Sequence, residues 1–177
     1  DNAGLYHALK KGLPVLPIFI FDKNILDKLE DKKDGRVEFI HQAISNLHEH
    51  LKELGSSIKV FYSTPEKVFK ELVKEFDVEC VYTNHDYEPY ARKRDKEMNQ
   101  LFVSKGISFL TSKDQVIFEK SEVVKDDGSP YVVYTPYSKK WKENFKKIKL
   151  VHYPSEEKSD RIAQHSYPFL SLADIGF

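Results

Sequence analysis

The run Val15-Leu16-Pro17-Ile18-Phe19-Ile20-Phe21 is almost wholly apolar. A strand without polar alternation must be covered on both faces, which points to a parallel sheet wrapped by helices. Pro17 has no amide to give a ladder, so it belongs near the start of that strand. The next periodic segment, Arg36 to Leu54, carries Val37, Ile40, Ile44, Leu47, Leu51 and Leu54 at alternating spacings of three and four. That spacing marks one face of a helix, and Gly55 supplies its stop.

The alternation continues along the chain. Ile58 to Tyr62 reads as a strand, and Ser63-Thr64-Pro65 as a cap with proline at the first helical position, opening a helix to about Glu75. Val78 to Thr83 is the next strand and Glu88 to Lys105 the next helix, ended by Gly106. Ile107 to Leu110 and Gln115 to Phe118 read as short extended pieces, and Thr135-Pro136 opens a helix carrying Trp141 and Phe145. Strand and helix in strict alternation predict an α/β fold with a doubly wound parallel sheet. Residues 1–150 form that domain. From residue 151 periodicity is lost, and 151–177 reads as an interdomain linker that packs on another domain.

The 177 residues hold enough apolar material, 40 %, for a single core. Twenty-eight basic residues balance twenty-eight acidic ones, so the chain lacks the positive footprint of a surface that grips nucleic acid unaided. It is not expected to bind DNA alone. The lone Cys80, inside an apolar run, reads as a small buried hydrophobe in a reducing compartment. No membrane-length apolar run is present, so a cytoplasmic, membrane-free protein is expected.

In an open sheet, ligands bind beyond the carboxyl ends of the strands, where the winding reverses. Asp22 follows the first apolar run, while Asp86 and Glu88 follow the strand that ends at Thr83. With Arg36 and Arg94 at the mouths of their helices, and Phe19 as a flat apolar wall, these residues could face one cleft suited to a planar heterocycle. A plainer reading is open beside this one. Asp22 could cap a short helix, Arg36 could lie on the surface, and Glu88, Arg92, Arg94 and Asp95 could complement a helix dipole. His41, His48 and His50 lack metal-ligand spacing and are expected in solvent, so no metal is predicted. No nucleophile–base pairing or glycine-rich phosphate loop stands out, and no catalytic residue is expected here.

The stretch Thr83-Asn84-His85-Asp86-Tyr87-Glu88-Pro89-Tyr90-Ala91-Arg92-Lys93-Arg94-Asp95 resembles the N-terminal, antenna-binding α/β domain of DNA photolyases and cryptochromes. So do Asp1-Asn2, Tyr131-Val132-Val133-Tyr134-Thr135-Pro136-Tyr137 with Trp141, and Leu172-Ala173-Asp174-Ile175-Gly176-Phe177. The resemblance implies a Rossmann-like sheet whose first, central strand would lie upstream of Asp1, leaving exposed edges that destabilise the chain on its own. It also implies a helical domain downstream that holds FAD and contacts damaged DNA, so that the chain alone would be inactive. The parent would be a photolyase splitting pyrimidine dimers by electron transfer from photoexcited reduced FAD. A cryptochrome photoreceptor, or a free-standing nucleotide- or flavin-binding module, is the alternative.

For the antenna, positions matching Phe19, Asp22, Arg36, Asp86 and Arg94 line the pocket in the deazaflavin type, although glycine is usual where Ala91 stands. In the folate type an Asn-Glu pair takes the place of Tyr90-Ala91. The resemblance therefore implies a deazaflavin or flavin antenna rather than folate.

Overall fold

The computed structural model of the chain describes residues 2–177; Asp1 of the Asp1-Asn2 pair lies outside the described residues. Four short strands alternate with six helices. In chain order these are α1 (Ala3–Lys10), β1 (Ile18–Asp22), α2 (Lys23–Leu26), α3 (Gly35–Glu53), β2 (Lys59–Ser63), α4 (Pro65–Glu75), β3 (Cys80–Asn84), α5 (Pro89–Val103), β4 (Ser108–Ser112) and α6 (Tyr134–Phe145). The fold is mixed α/β and Rossmann-like, with parallel strands in two small sheets. β1 pairs with β2 from Ile18↔Lys59 to Asp22↔Ser63, and β3 pairs with β4 from Cys80↔Ser108 to Asn84↔Ser112. β1 and β3 do not pair with each other. Each therefore keeps one edge with no strand partner among the described residues.

Local chemistry explains most boundaries. Asn2, Asp22 and Asp34 cap α1, α2 and α3 by accepting from Leu5, Asn24 and Arg36 amides. Pro65 and Pro89 open α4 and α5, where their missing donors cost nothing. Gly55 follows the end of α3 at φ +78 and Gly106 follows α5 at φ +72, a left-handed turn that favours glycine. The strand expected from Val15 begins only at Ile18. Pro17 stands just before it, accepting from the Lys59 amide at 3.0 Å, while Val15 forms an isolated parallel bridge with Ile162. Gln115 to Phe118, expected to be extended, forms no strand, because Lys120–Glu122 turns the chain there instead.

Two hydrophobic clusters hold the halves. Met98, Phe102 and Ile107 form one, with Phe69, Val81 and Phe109 packed around them. The other gathers Phe21, Val37, Leu51, Ile58 and Val60 with Ile175 of the tail. Residues 162–177 lie on this second cluster through Ile162, Phe169, Leu170, Leu172 and Phe177, and Ile175 is fully buried. Residues 162–177 of the expected linker thus pack on the cluster formed by β1, β2 and α3. Ser57 Oγ donates to His165 O at 2.9 Å and accepts from the Tyr167 amide at 2.8 Å, fixing the path of the tail beside β2.

This packing corrects the expectation for the α3 histidines. His48 is 3 % exposed and His41 is half-buried, with its Nε2 2.8 Å from Leu170 O. Both rings flank Phe169 at 5.1 Å. Together with Val37, Ile44 and Leu51 they make the inward stripe of α3, and the tail is what covers them. Cys80 is half-buried rather than buried. Trp141 stacks on Phe145 and meets Phe118 edge-on, a packing role. No helix among the described residues is long and apolar enough to cross a membrane.

Candidate functional site

β1 ends at Asp22, a carboxylate only 7 % exposed at the strand's carboxyl end. Its Oδ1 accepts from the Asn24 amide at 2.9 Å, which starts α2. Its Oδ2 accepts from the Tyr90 hydroxyl in the first turn of α5, and Asn24 Nδ2 donates to that same hydroxyl at 3.1 Å. A buried carboxylate is tolerated only when its lone pairs are bonded, and here the bonds bridge the carboxyl end of β1 to the helix that follows β3. Burial, with the bond to Asp22 second, pushes the Tyr90 phenol above its ordinary value, and the positive charge of Arg94 pulls it the other way. Lys28 Nζ stands 6.0 Å from the Tyr90 ring centroid. A buried carboxylate, a phenol and two cations therefore gather between the carboxyl end of β1 and the first turns of α5.

The structure places the other residues expected at the cleft in their own local contacts. Phe19 lies in β1, edge-on to Phe21 at 4.9 Å and against the second cluster. Arg94 shares a helical face with Tyr90, four residues on, and pairs with Asp95 at 2.8 Å. Asp86 lies in the turn before α5 and accepts from the Glu88 amide at 3.1 Å. Glu88 is the exposed N-cap of α5 and makes no side-chain cap bond. Arg36, its side chain 78 % exposed, forks onto Asp34 with contacts of 2.5 to 3.1 Å, and those bonds hold the Asp34 carboxyl down to about 2. Ala91 is buried within α5. Asp22 and Arg94 thus meet around a residue, Tyr90, that was read only as part of a motif. Its signal was the spacing of four to Arg94.

A second polar cluster fixes the turn that carries Asp86 and Glu88. Glu119 Oε2 accepts from the Tyr87 hydroxyl at 2.7 Å and from His85 Nδ1 at 2.8 Å. His85 Nε2 lies 2.8 Å from Thr111 Oγ1. Because a carboxylate only accepts, Nδ1 carries the proton, and in the neutral ring Nε2 accepts from the threonine hydroxyl. Burial raises the Glu119 carboxyl, but the bonds from Tyr87 and His85 outweigh it and hold the group below its ordinary value. Burial first, and then the bond to Glu119, pushes the Tyr87 phenol up to about 12. A phenol raised on folding contributes stability that is complete below its unfolded value, near 10, and is lost as pH climbs through about 12. An absorbance titration of the tyrosinates should therefore contain a late step near 12 that is missing in Tyr87→Phe; identical curves would remove the bond to Glu119.

A groove of about 490 Å³ lies elsewhere, between α1 and the β3–β4 sheet, lined by His7, Lys10, Lys11, Tyr82 and Leu110. It runs from Tyr82 in the middle of β3 to Leu110, Thr111 and Ser112 at the carboxyl end of β4, and Lys11 is already paired with Glu79 at 2.7 Å. The convergence on Asp22 is the better candidate site, since there buried polar groups meet from two separate elements.

The DNA photolyase family model matches residues 1–158. The deoxyribodipyrimidine photo-lyase of Synechococcus sp. is 28 % identical over 141 residues, covering 80 % of this chain and 29 % of that protein. The deoxyribodipyrimidine photo-lyase of Alkalihalophilus pseudofirmus is 31 % identical over 156 residues, covering 85 % of this chain and 32 % of that one. A bacterial class III photolyase from Agrobacterium tumefaciens superposes with a TM-score of 0.69 at 25 % identity, over 82 % of this chain and 29 % of its own. An archaeal photolyase from Sulfolobus tokodaii, solved with two FAD molecules, superposes at 0.63 and 29 % identity, over 71 % of this chain and 29 % of its own. The chain spans about a third of the length of these relatives. Matched along most of its sequence by the family model and sharing the fold of solved members, the chain belongs to the DNA photolyase family.

Proposed function

We propose that this chain is the antenna-chromophore domain of a light-dependent DNA photolyase, with a flavin or deazaflavin seated where β1 and α5 converge. The observation that carries the reading is the buried Asp22 carboxylate at the end of β1 bonded to the Tyr90 hydroxyl at the start of α5. Donors and acceptors at Asp22, Asn24 and Tyr90 suit the rim of a planar heterocycle, and Lys28 and Arg94 favour an anionic substituent on it. Such a group supplies light absorption, while the chain supplies its binding and orientation. The photolyase from Sulfolobus tokodaii, whose two FAD molecules imply a novel light-harvesting cofactor, supports a flavin-type antenna over folate.

Arg36 is a weaker member of this set, being exposed and committed to Asp34. Asp86, Glu88 and Phe19 belong to the cleft as its rim and wall. In the longer parent, repair of pyrimidine dimers would reside in an FAD-binding helical part that also contacts damaged DNA. The test is light-dependent loss of dimers from irradiated DNA by the FAD-loaded parent, with an action spectrum broader than FAD absorbance alone. Repair whose spectrum follows FAD alone would remove the antenna. An FAD-loaded parent without repair would shift the reading to a cryptochrome photoreceptor.

A further inference from the structure

The His85–Glu88 turn, which joins β3 to α5 and carries Asp86 and Glu88, is held from several sides at once. The His85 amide donates to Ser112 O at 2.8 Å and its carbonyl accepts from Gln115 Nε2 at 3.1 Å. Its ring spans Glu119 and Thr111, and Tyr87 joins the same carboxylate oxygen as His85. Among the described residues, the bonds made by the His85 and Tyr87 side chains all end on Glu119 except the one to Thr111. The Glu119 side chain is 12 % exposed and the His85 side chain 21 %, so these bonds are made largely out of water, where each is stronger and a lost partner is felt more.

Glu119 is itself braced. Glu122 closes a capping box with it, accepting from the Glu119 amide at 2.7 Å, and Lys113 holds Glu122 at 2.8 Å. Asn144 of α6 donates to Glu122 O at 3.0 Å. The next residue, Lys120, has φ +50, the left-handed region that a lysine rarely adopts. Backbone strain of this kind persists only where surrounding bonds over-determine it, and it concentrates at sites whose geometry is held for a purpose.

We propose that Glu119 is the positioning residue of the cleft: by gathering Tyr87 and His85 onto one carboxylate oxygen, it clamps the turn that presents Asp86 and Glu88 to the ligand. The inference rests on the reading of that cleft as a flavin site and assigns Glu119 no contact with the ligand. It makes the bound conformation of the turn the resident one, so that no ordering cost is met when a ligand arrives.

The test uses the 177-residue chain with FMN as probe and reads amide hydrogen exchange together with affinity. Glu119→Ala should speed exchange of the His85 and Glu88 amides about a hundredfold and raise the Kd for FMN about tenfold, while the β1–β2 amides exchange as before. Glu119→Gln, whose amide oxygen still accepts from Tyr87 and His85, should stay within about threefold of the original chain on both measures. Unchanged exchange at residues 85–88 in Glu119→Ala would overturn the clamp. So would faster exchange with unchanged affinity, which leaves the bonds merely structural. Should Glu119→Ala lose protection everywhere, Tyr87→Phe decides, since it removes a single hydroxyl: local loss supports the clamp and its absence refutes it. A chain that binds no FMN at all refutes the flavin reading, and exchange at residues 85–88 still decides whether Glu119 holds the turn.

Discussion

Removing residues 168–177 is expected to unfold the half of the domain built on β1, β2 and α3. The deleted segment contributes Phe169, Leu170, Leu172, Ile175 and Phe177 to the cluster around Phe21, Val37 and Leu51. Burying five apolar side chains, some only in part, stabilises by on the order of 5 to 10 kcal/mol. A whole domain of this size has a net margin of about 5 to 15 kcal/mol, so the loss rivals the total. The deletion would also uncover His48, whose buried Nδ1 has no hydrogen-bond partner among the described residues. Ile175→Ala alone, at a fully buried position, should cost about 2 to 5 kcal/mol. Urea denaturation followed by circular dichroism reads both changes. Equal midpoints for the deleted and intact chains would mean that the tail only rests on the surface.

The second large effect is expected at Asp22. Asp22→Ala removes the cap of α2, worth about 1 kcal/mol. It also strips the Tyr90 hydroxyl of its charged acceptor, worth roughly 1.5 to 3 kcal/mol. Stability should therefore fall by about 2 to 4 kcal/mol, with the carboxyl end of β1 and the first turn of α5 no longer joined. Flavin affinity should fall more than stability implies, because the same atoms form the rim of the cleft. A hundredfold loss is about 2.7 kcal/mol, within the reach of one charged hydrogen bond. Tyr90→Phe, which leaves the cap intact, separates the two roles: affinity should drop while α2 stays formed. Asp22→Ala binding FMN as the original chain does would place the ligand elsewhere.

What the sequence made legible was the part of the fold governed by local rules. Capping residues, Pro65 and Pro89 at helix starts and the glycines after α3 and α5 set boundaries that the structure keeps within a few residues. Asp22 stood out because strand ends in open sheets are where ligands bind. The tail was opaque for the opposite reason. Its contacts come from isolated side chains on irregular backbone, with no period to betray that Ile162, Phe169 and Ile175 face one core. His48 was read as exposed because the segment that buries it lies far along the chain.

The bonds that define the site were hidden in the same way, since Asp22 and Tyr90 are 68 residues apart and His85 and Glu119 are 34 apart. Nothing local to Glu119 announces a carboxylate that holds a distant turn. The division of the strands into two pairs depends on pairing between segments well separated in the chain, which no local pattern announces.

The most direct test of the account is to map where FMN protects backbone amides of the chain from hydrogen exchange. Protection at residues 22–24 and 86–94, with the β4 and α1 amides unchanged, is the predicted outcome and would place the ligand between β1 and α5. Protection confined to α1 and the middle of β3, around Lys10 and Tyr82, would contradict it and move the binding site to the groove between α1 and the β3–β4 sheet.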